Sequence, residues 1–481
     1  MSGRTLRLDD SSFWFLIVGA GLCWSVAFPV IALSYQLELY GDGAMFSYAV
    51  AVRDVWAFHW HNISGRTSVF LLTLLPAEVV VGITSNPWAG IIAYGLLFYV
   101  SPLVGLAVSY AADRSPDRII FVYACGSTAL LCPLIFGFPT EMWLAHAIFW
   151  PALALSHYAK PTSAGALQMF TAWLLLAFTH EGALVLLLAI AATLAPRGLR
   201  SATFVRAAIS LMIIVILAVV AKIVLPPDDY YADAFLRAAL HFFDLEIFKV
   251  EVVLVLLAAI IAYGAILLLL SIWFPRWACI CALGILLGLL SIYWHHFDHS
   301  VHASSRYYLR TALVIALPLF GALAALTAMT REGIVLNRLV RLRHALMISP
   351  RGGTLCALAS IFLIVTLIHT NETRKFVTSW SEYRNAIAAL AMSSKSDPAL
   401  GDLRFVSAER ISPTLTPLSW FSTIPYLSII VSDFSPNRLV IDPAGNYFWL
   451  TCGAATRNKD AELVVPAQTR ELVRDYSCLH R

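Results

Sequence analysis

The chain has 481 residues, of which 59% are hydrophobic and only 13% are charged, and its mean hydropathy is +0.76. Soluble globular proteins carry about 25% charged residues, so this composition excludes a soluble enzyme. The formal net charge is +4. In a membrane protein such a small basic excess reflects the collection of Arg and Lys on the cytoplasmic side, and it implies no nucleic-acid partner.

Apolar runs of spanning length, about 20 residues each, recur along the chain. They predict about eleven transmembrane helices, at 13–35, 88–111, 118–136, 142–158, 164–179, 181–196, 203–225, 251–272, 275–293, 309–328 and 354–370. A further run at 68–84 contains Pro76 and Glu78 and is barely long enough to cross. Spanning the bilayer and lying at its surface are both open for this run.

The positive-inside rule favours the surface position for 68–84. The basic residues around Arg4, Arg197 and Arg338 should all face the cytoplasm, and an even number of crossings between them is obtained only if 68–84 does not cross. The sequence therefore predicts an all-α polytopic protein of the cytoplasmic (inner) membrane with a cytoplasmic amino terminus. Residues 1–370 form the transmembrane domain, with juxtamembrane helices in the first outer loop at about 44–84.

Residues 371–481 are predicted to form a small α+β C-terminal domain outside the cytoplasm. An amphipathic helix is expected around 373–392 and strands near 403–407, 426–432 and 438–441. Cys452 and Cys478 lie in this domain, where an oxidising compartment would allow them to pair. The sequence leaves their pairing open.

Acids and histidines concentrate at the outer ends of the predicted spans. Asp42 lies between two glycines in the first outer loop, where the backbone can approach a ligand closely, and its carboxylate could act as a base or a metal ligand. The alternative is an ordinary turn residue, because Gly-Asp-Gly is common turn chemistry.

An aromatic-rich stretch at 44–62 suits a helix in the headgroup layer. Its polar residues include Arg53, Asp54 and His59, and Arg66 follows shortly after. The planar guanidinium of Arg66 would bind a lipid phosphate well. The alternative is that Arg66 binds no ligand and is an ordinary interfacial arginine whose side chain extends to the membrane surface.

Two later outer turns carry further acids. Glu141 precedes Trp143 at the mouth of a span, and His180-Glu181 lies between two apolar runs with almost no loop. Ionisable residues at the membrane edge are costly and indicate functional sites. First-turn acids stabilised by the helix dipole are the competing interpretation.

The densest polar cluster runs from Tyr293 to Tyr308 and includes His296, Arg306 and Tyr307. Its crowded His and Asp side chains suggest a metal site, but no His-Glu-x-x-His motif is present, and a solvated, pH-responsive loop is the favoured explanation. Arg306 precedes a long apolar run and would lie at headgroup depth, where it could hold a phosphate or diphosphate.

Together these features resemble the GT-C class of integral-membrane glycosyltransferases. The resemblance covers the architecture and a few positions: Asp42, the Trp-rich stretch that ends in Ser64-Gly65-Arg66, Glu141-Met142-Trp143, and His180-Glu181. The bacterial branch that is most similar commonly has two adjacent acids in the first loop, where this chain has Gly41-Asp42.

The resemblance implies inverting transfer of a sugar from a polyprenyl-phosphate donor to a glycan, lipid or protein acceptor outside the cytoplasmic membrane. It assigns Asp42 as the base, with Glu141 and Glu181 as orienting acids. Arg66 and Arg306 would stabilise the departing phosphate. The other side chains expected to bind substrate are those of Arg53, Asp54, His59, Trp143, His180, His296 and Tyr307.

No cofactor is assigned by these residues, although one divalent cation (Mg²⁺ or Mn²⁺) between Asp42 and Glu141 is a hypothesis. The alternative function is a lipid-linked glycan flippase or small-solute transporter, in which the same acids would line a pathway. Transporters place charges near the bilayer midplane, often with paired repeats. The acids here cluster at one membrane face, which favours the enzyme.

Overall fold

The computed structural model describes residues 10–56, 63–131, 141–227, 303–334, 352–393 and 423–434, the strands at 404–407 and 438–441, and a few single positions elsewhere. The predicted spans at 251–272 and 275–293, together with Cys452 and Cys478, lie outside the described residues. Every other predicted span coincides, wholly or in large part, with a helix.

The described part of the chain is predominantly helical. The helices before residue 132 are α1 (Asp10–Ser34), α2 (Asp42–Ala51), α3 (Ile63–Val69), α4 (Leu75–Thr84), α5 (Pro87–Tyr99), α6 (Ser101–Ala112) and α7 (Ile119–Leu131). The later ones are α8 (Glu141–Tyr158), α9 (Ser163–Ala177), α10 (Ala183–Leu194), α11 (Ala202–Val224), α12 (Ala303–Arg331), α13 (Gly352–Ser393) and α14 (Ile424–Val431).

Three helices in the described ranges are long and apolar enough to cross a membrane: Phe13–Ser34, Ile63–Thr84 and Ala202–Val224. The pair α5 and α6 passes the same test as one span bent by 41°. By contrast, α9 and α10 contain 15 and 12 residues, roughly 22 and 18 Å of helix, which is less than the ~30 Å hydrocarbon core. The predicted total of eleven spans stays a prediction.

Helix α8 separates two polar clusters, one at each of its ends. At its first residue Glu141 contacts Arg66. At its last residue the Tyr158 hydroxyl donates to Glu332, which also accepts a hydrogen bond from Arg197 at 3.0 Å. The 18 residues of α8 correspond to roughly 27 Å. We call the two regions the Arg66 end and the Arg197 end.

The Arg197 end also holds Arg331, which is adjacent to Glu332 in sequence and forms an ion pair with Asp117. Arg197 and Arg331 belong to two different basic segments that the sequence placed on one side of the membrane. The two residues meet at one end of the helix bundle.

The segment Ile63–Thr84 consists of α3, a π-helical turn at Phe70–Leu74 and α4. It passes the span test, yet contacts near both of its ends involve the Arg66 end and the chain that follows α2. Arg66 contacts Glu141 near its start, and near its other end Glu78 Oε2 accepts a hydrogen bond from the Val55 amide at 3.4 Å. The prediction that 68–84 does not cross the membrane stays a prediction, because the segment Ile63–Thr84 is long and apolar enough to span.

Helix α13 is continuous over 42 residues, roughly 63 Å, about twice the thickness of a hydrocarbon core. The predicted domain boundary at residue 370 therefore falls inside a helix and not in a linker. Its second half is amphipathic, as the sequence predicts, because the buried side chains recur every three or four positions at Thr373, Phe376, Val377, Trp380, Tyr383, Ile387 and Ala391.

Two short strands follow, β1 (Arg404–Ser407) and β2 (Arg438–Ile441), and they pair in parallel with Phe405 opposite Leu439. The helix α14 lies between them in sequence, as a parallel crossover requires. The predicted strand at 426–432 is wrong, because most of this run belongs to α14. A short apolar run does not distinguish a strand from a buried helix, and Pro425 in the first turn favours a helix start.

The C-terminal segment packs against the first-loop region. The rings of Tyr48 on α2 and Tyr426 on α14 lie 5.3 Å apart between centroids, and those of Trp88 and Phe434 lie 5.9 Å apart. The helix α14 and Phe434, which follows it, thus lie against α2 and the start of α5.

Candidate functional site

The start of α8, which carries Glu141, is held by aromatic contacts to α1 and α5. The indole of Trp143, two residues further on, is buried, and its ring centroid lies 4.7 Å from that of Phe28 on α1. It also meets Tyr99 edge-on at 6.5 Å. Trp143, which the sequence predicts to bind substrate, thus packs against Phe28 and Tyr99 at the start of α8.

Arg66 lies at an irregular point of its helix. Its backbone is not helical (φ −130°, ψ 23°), and the π-helical turn begins four residues later. The amide of Ser68 donates to the carbonyl of Phe178 at 3.0 Å, which ties α3 to the turn between α9 and α10. Irregular helical turns are frequent at functional sites, and here the irregularity brings Arg66 to the turn that carries Glu181.

The guanidinium of Arg66 is held between two carboxylates. Its Nη1 atom contacts Glu141 Oε1, and its Nη2 atom lies 3.9 Å from Glu181 Oε2. The side chains of Arg66 and Glu141 are only 9% and 4% exposed. With both acids ionised, this group carries one positive and two negative charges. Such a buried arrangement is expensive to assemble, which indicates a function.

His180 contributes a neutral imidazole nitrogen in this geometry. Its Nδ1 atom accepts a hydrogen bond from the Gly182 amide at 3.0 Å, so the ring proton of the neutral form belongs on Nε2. Nδ1 also lies 3.8 Å from Glu181 Oε2.

Asp42 is the first residue of α2, preceded by Gly41 with φ 59° and ψ −135°. This backbone conformation is strained for any residue with a Cβ, so the glycine permits the sharp entry into the helix. At a helix start the partial positive charge of the free amides stabilises a carboxylate. The Gly-Asp-Gly sequence is therefore a helix entry and not a simple turn.

Tyr94 on α5 is buried within electrostatic reach of three acids: the charges of Glu141, Asp42 and Glu38 all act on its phenol. The sequence did not single out this residue. Nothing in the local sequence of Tyr94 distinguishes it from other aromatic residues of the predicted spans.

Glu38 is a second residue that sequence reasoning missed as a site candidate. It lies in the one-turn 3₁₀ helix Leu37–Leu39 and is only 1% exposed, and its Oε2 atom has no hydrogen-bond partner among the described residues. Burial raises the pKa of this carboxyl group to about 8, opposed by a backbone hydrogen bond and by the charge of Arg384. The sequence feature that could have indicated its burial is its position between Leu37 and Leu39.

The remaining predicted residues are not brought to the Arg66 end by described contacts. Arg53 is exposed at φ 58°, and Asp54 donates its amide to the Ala49 carbonyl at 2.9 Å. His59 and His296 lie outside the described residues. Arg306 and Tyr307 lie within α12, but the structure describes only their backbone and not their side chains.

Two buried donors near the arginine make no hydrogen bond to the described residues: Ser64 Oγ and Trp143 Nε1. Buried polar groups are normally satisfied by protein, water or ligand.

Among the described residues, no group of three or more His, Cys, Asp or Glu side chains is arranged to hold a metal ion. Asp42 and Glu141, the two residues of the divalent-cation hypothesis, are therefore not part of such a group within the described residues.

A comparison with protein-family models gives no match to this sequence, and a search of curated proteins found no significantly similar chain. The fold and site thus define a helical protein with candidate membrane spans and a buried acid–arginine cluster at one end.

Proposed function

We propose that this chain is a GT-C-like membrane glycosyltransferase that transfers a sugar from a polyprenyl-phosphate donor to an acceptor outside the cytoplasm, with inversion at the sugar carbon. The observation that carries the proposal is the burial of Arg66 between Glu141 and Glu181, and the charges of Asp42 and Glu141 both reach the phenol of Tyr94. Neither packing nor topology requires two acids around a buried arginine at a membrane edge.

The proposal includes a cytoplasmic (inner) membrane location with about eleven spans. The Arg197 end, where two basic segments meet, faces the cytoplasm under the positive-inside rule. The Arg66 end and the C-terminal domain then face outwards. Because α9 is only roughly 22 Å long, the turn that carries His180 and Glu181 lies slightly below the outer edge of the ~30 Å core, at a depth that suits a lipid-linked phosphate.

In the proposed reaction an acceptor hydroxyl attacks the anomeric carbon of the donor. Asp42 takes the hydroxyl proton as the new carbon–oxygen bond forms. The bond from the anomeric carbon to the phosphate oxygen breaks, and its electron pair leaves with the polyprenyl phosphate. Positive charge and fixed donors stabilise the phosphate as its charge develops.

The contacts refine the role of Arg66. Because Glu141 and Glu181 already balance its charge, Arg66 alone is a weak phosphate clamp. In the proposal His180 contributes a hydrogen bond to the phosphate and Arg306 supplies the second cation. A divalent cation at Asp42 and Glu141 would supply the remaining charge.

The test is transfer of radiolabelled sugar by the purified full-length protein in nanodiscs, with a panel of short-chain polyprenyl-phosphate sugars. Asp42→Asn removes the base with little change in shape, and we expect transfer to fall by roughly 10²–10⁴-fold while donor binding persists. Asp117→Asn is the matched control, because Asp117 is an exposed acid at the Arg197 end. It should transfer at the wild-type rate.

The other outcomes are equally informative. Equal transfer by Asp42→Asn and wild type would remove Asp42 as the base and make Glu141 or Glu181 the next candidates. No transfer from any donor, accompanied by movement of substrate across proteoliposomes, would replace the enzyme with a transporter.

A further inference from the structure

The first outer loop is anchored by the helix that leads into the C-terminal domain. Two donors from α13 converge on the end of α1: the Trp380 indole donates to the Tyr35 carbonyl at 3.1 Å, and Arg384 donates to the same carbonyl at 2.9 Å. The last carbonyls of a helix have no partner within it, and a cation near them is favourable because of the helix dipole. Helix α13 therefore caps α1 from a distant part of the chain.

Arg384 also holds the next residue, which has an unusual conformation. Gln36 has φ 55° and ψ 47°, the left-handed region that residues other than glycine and asparagine seldom adopt. Its side-chain Oε1 accepts a hydrogen bond from Arg384 at 2.7 Å. The Nη1 nitrogen thus donates to a main-chain and a side-chain oxygen of two consecutive residues.

The far end of the same connection is held by aromatic contacts. The ring of Tyr40 meets Phe376 edge-on at 4.9 Å and Trp380 edge-on at 5.2 Å between centroids. Tyr40 is followed by Gly41 and then by Asp42, the first residue of α2. The segment from Tyr35 to Tyr40 is therefore fixed at both ends by one face of α13, two residues before the proposed base.

We infer that Arg384 and Trp380 are positioning residues for Asp42, so that the C-terminal helix α13 sets the placement of the base in the first outer loop. The inference rests on the proposed function for its catalytic meaning. Neither residue touches the Arg66 end directly in the described contacts. Their effect passes through the loop, and a base misplaced by about 1 Å can cost 10²-fold in rate.

The first measurement is the kinetics of sugar transfer by Arg384→Ala and Trp380→Phe. Trp380→Phe keeps an aromatic ring beside Tyr40 and removes only the indole donor. We expect kcat to fall at least tenfold in Arg384→Ala and less in Trp380→Phe, with KM for the donor within about twofold of wild type. Arg384→Lys should recover part of kcat, because both bonds come from the single nitrogen Nη1 and an ammonium keeps a charged nitrogen with several donors on a differently shaped side chain.

Arg374→Ala is the matched control, since Arg374 is an exposed arginine on the same helix. It removes the same charge and should leave kcat unchanged. Wild-type kcat in a folded Arg384→Ala protein would overturn the inference, as would an equal loss in Arg374→Ala.

The second measurement does not depend on catalysis. Hydrogen exchange of the full-length protein should be faster in Arg384→Ala than in wild type for residues 36–45, where the amides of Leu39, Gly43 and Ala44 bond to carbonyls within the loop. Unchanged exchange there would overturn the inference whatever the kinetics show. Faster exchange in a protein that transfers no sugar would overturn the proposed function and leave the loop anchoring established.

Discussion

The guanidinium of Arg66 and the carboxylate of Glu141 meet inside the bundle although they are 75 positions apart in the sequence. Each residue approaches from a structurally constrained place: Arg66 from an irregular helical turn and Glu141 from the first residue of α8. The pair joins two elements that no local sequence pattern relates, and Glu181 adds a third.

This pair makes a prediction about stability that depends on which partner is removed. Arg66→Met leaves Glu141 and Glu181 buried without their shared cation, whereas Glu141→Gln leaves Arg66 with Glu181 nearby at 3.9 Å. Loss of one partner of a buried pair costs about 3–5 kcal/mol, and we expect Arg66→Met to lie at the upper end. Thermal unfolding in detergent, followed by circular dichroism, gives the ranking.

The matched control for this comparison is the ion pair between Arg331 and Asp117, whose side chains are 35% and 70% exposed. Asp117→Asn should change the free energy of unfolding by less than about 1 kcal/mol. A larger loss in Glu141→Gln than in Arg66→Met would contradict the arrangement of one cation between two acids.

Glu38 should make the protein less stable as the pH rises. Burial raises its pKa from 4.5 to about 8 in the folded protein, so between these values the folded state keeps a proton that the unfolded state has lost. Stability then falls with increasing pH across this window, by about 1.4 kcal/mol per pH unit at most, and becomes level above it. The groups that act on Glu38 in this region are Arg384, Tyr94 and Tyr99.

The experiment compares melting temperatures in detergent from pH 5 to pH 9 for wild type and Glu38→Gln. The amide cannot ionise, so the variant should lose less stability than wild type as the pH rises. Glu382→Gln removes an exposed acid on α13 and should keep the wild-type slope. Parallel curves for wild type and Glu38→Gln would show that Glu38 has no raised pKa.

Sequence reasoning located the acids but not their partners. Asp42, Glu141 and Glu181 were found because charges at the ends of apolar runs are costly and therefore conspicuous. The contacts of Arg66 and the participation of Tyr94 depend on how helices pack, which one sequence does not specify. Glu38 was missed as a candidate because a short loop residue gives no pattern that reveals burial.

For the fold, too, the sequence predicted some features correctly and missed others. Helix positions follow from runs of apolar residues, and most of them were predicted within a few positions. Most of the α14 segment was assigned to a strand at 426–432 because a short, mostly apolar run fits either structure. The boundary at residue 370 was placed where hydropathy ends, but the helical backbone of α13 continues, because its second half gains its own buried face.

Gly41 should matter more for transfer than for folding. Its φ of 59° and ψ of −135° are costly for alanine, by at least about 1 kcal/mol, and relief of that strain would move Asp42. We expect Gly41→Ala to lose at least tenfold in kcat. Gly198→Ala is the matched control, because Gly198 also has a positive φ, of 105°, but lies near the Arg197 end. Similar kcat values in the two variants would show that the backbone conformation at the start of α2 does not determine how Asp42 works in transfer.

The close approach of α6 and α8 should make Gly105 intolerant of any side chain. A Cβ at Gly105 would lie 2.3 Å from the carbonyl oxygen of Ala147, which is backbone and cannot rotate away. Small residues at such crossings allow helices to pack closely in membranes. We expect Gly105→Ala to lower the free energy of unfolding by about 1–3 kcal/mol.

Gly19→Ala is the control, because a Cβ at Gly19 meets no atom within 4 Å and alanine is the better helix former. Melting temperatures in detergent decide the matter: an unchanged value in Gly105→Ala would mean that α6 and α8 are further apart than the structure places them, and the position of Glu141 at the start of α8 would have to be revised with them.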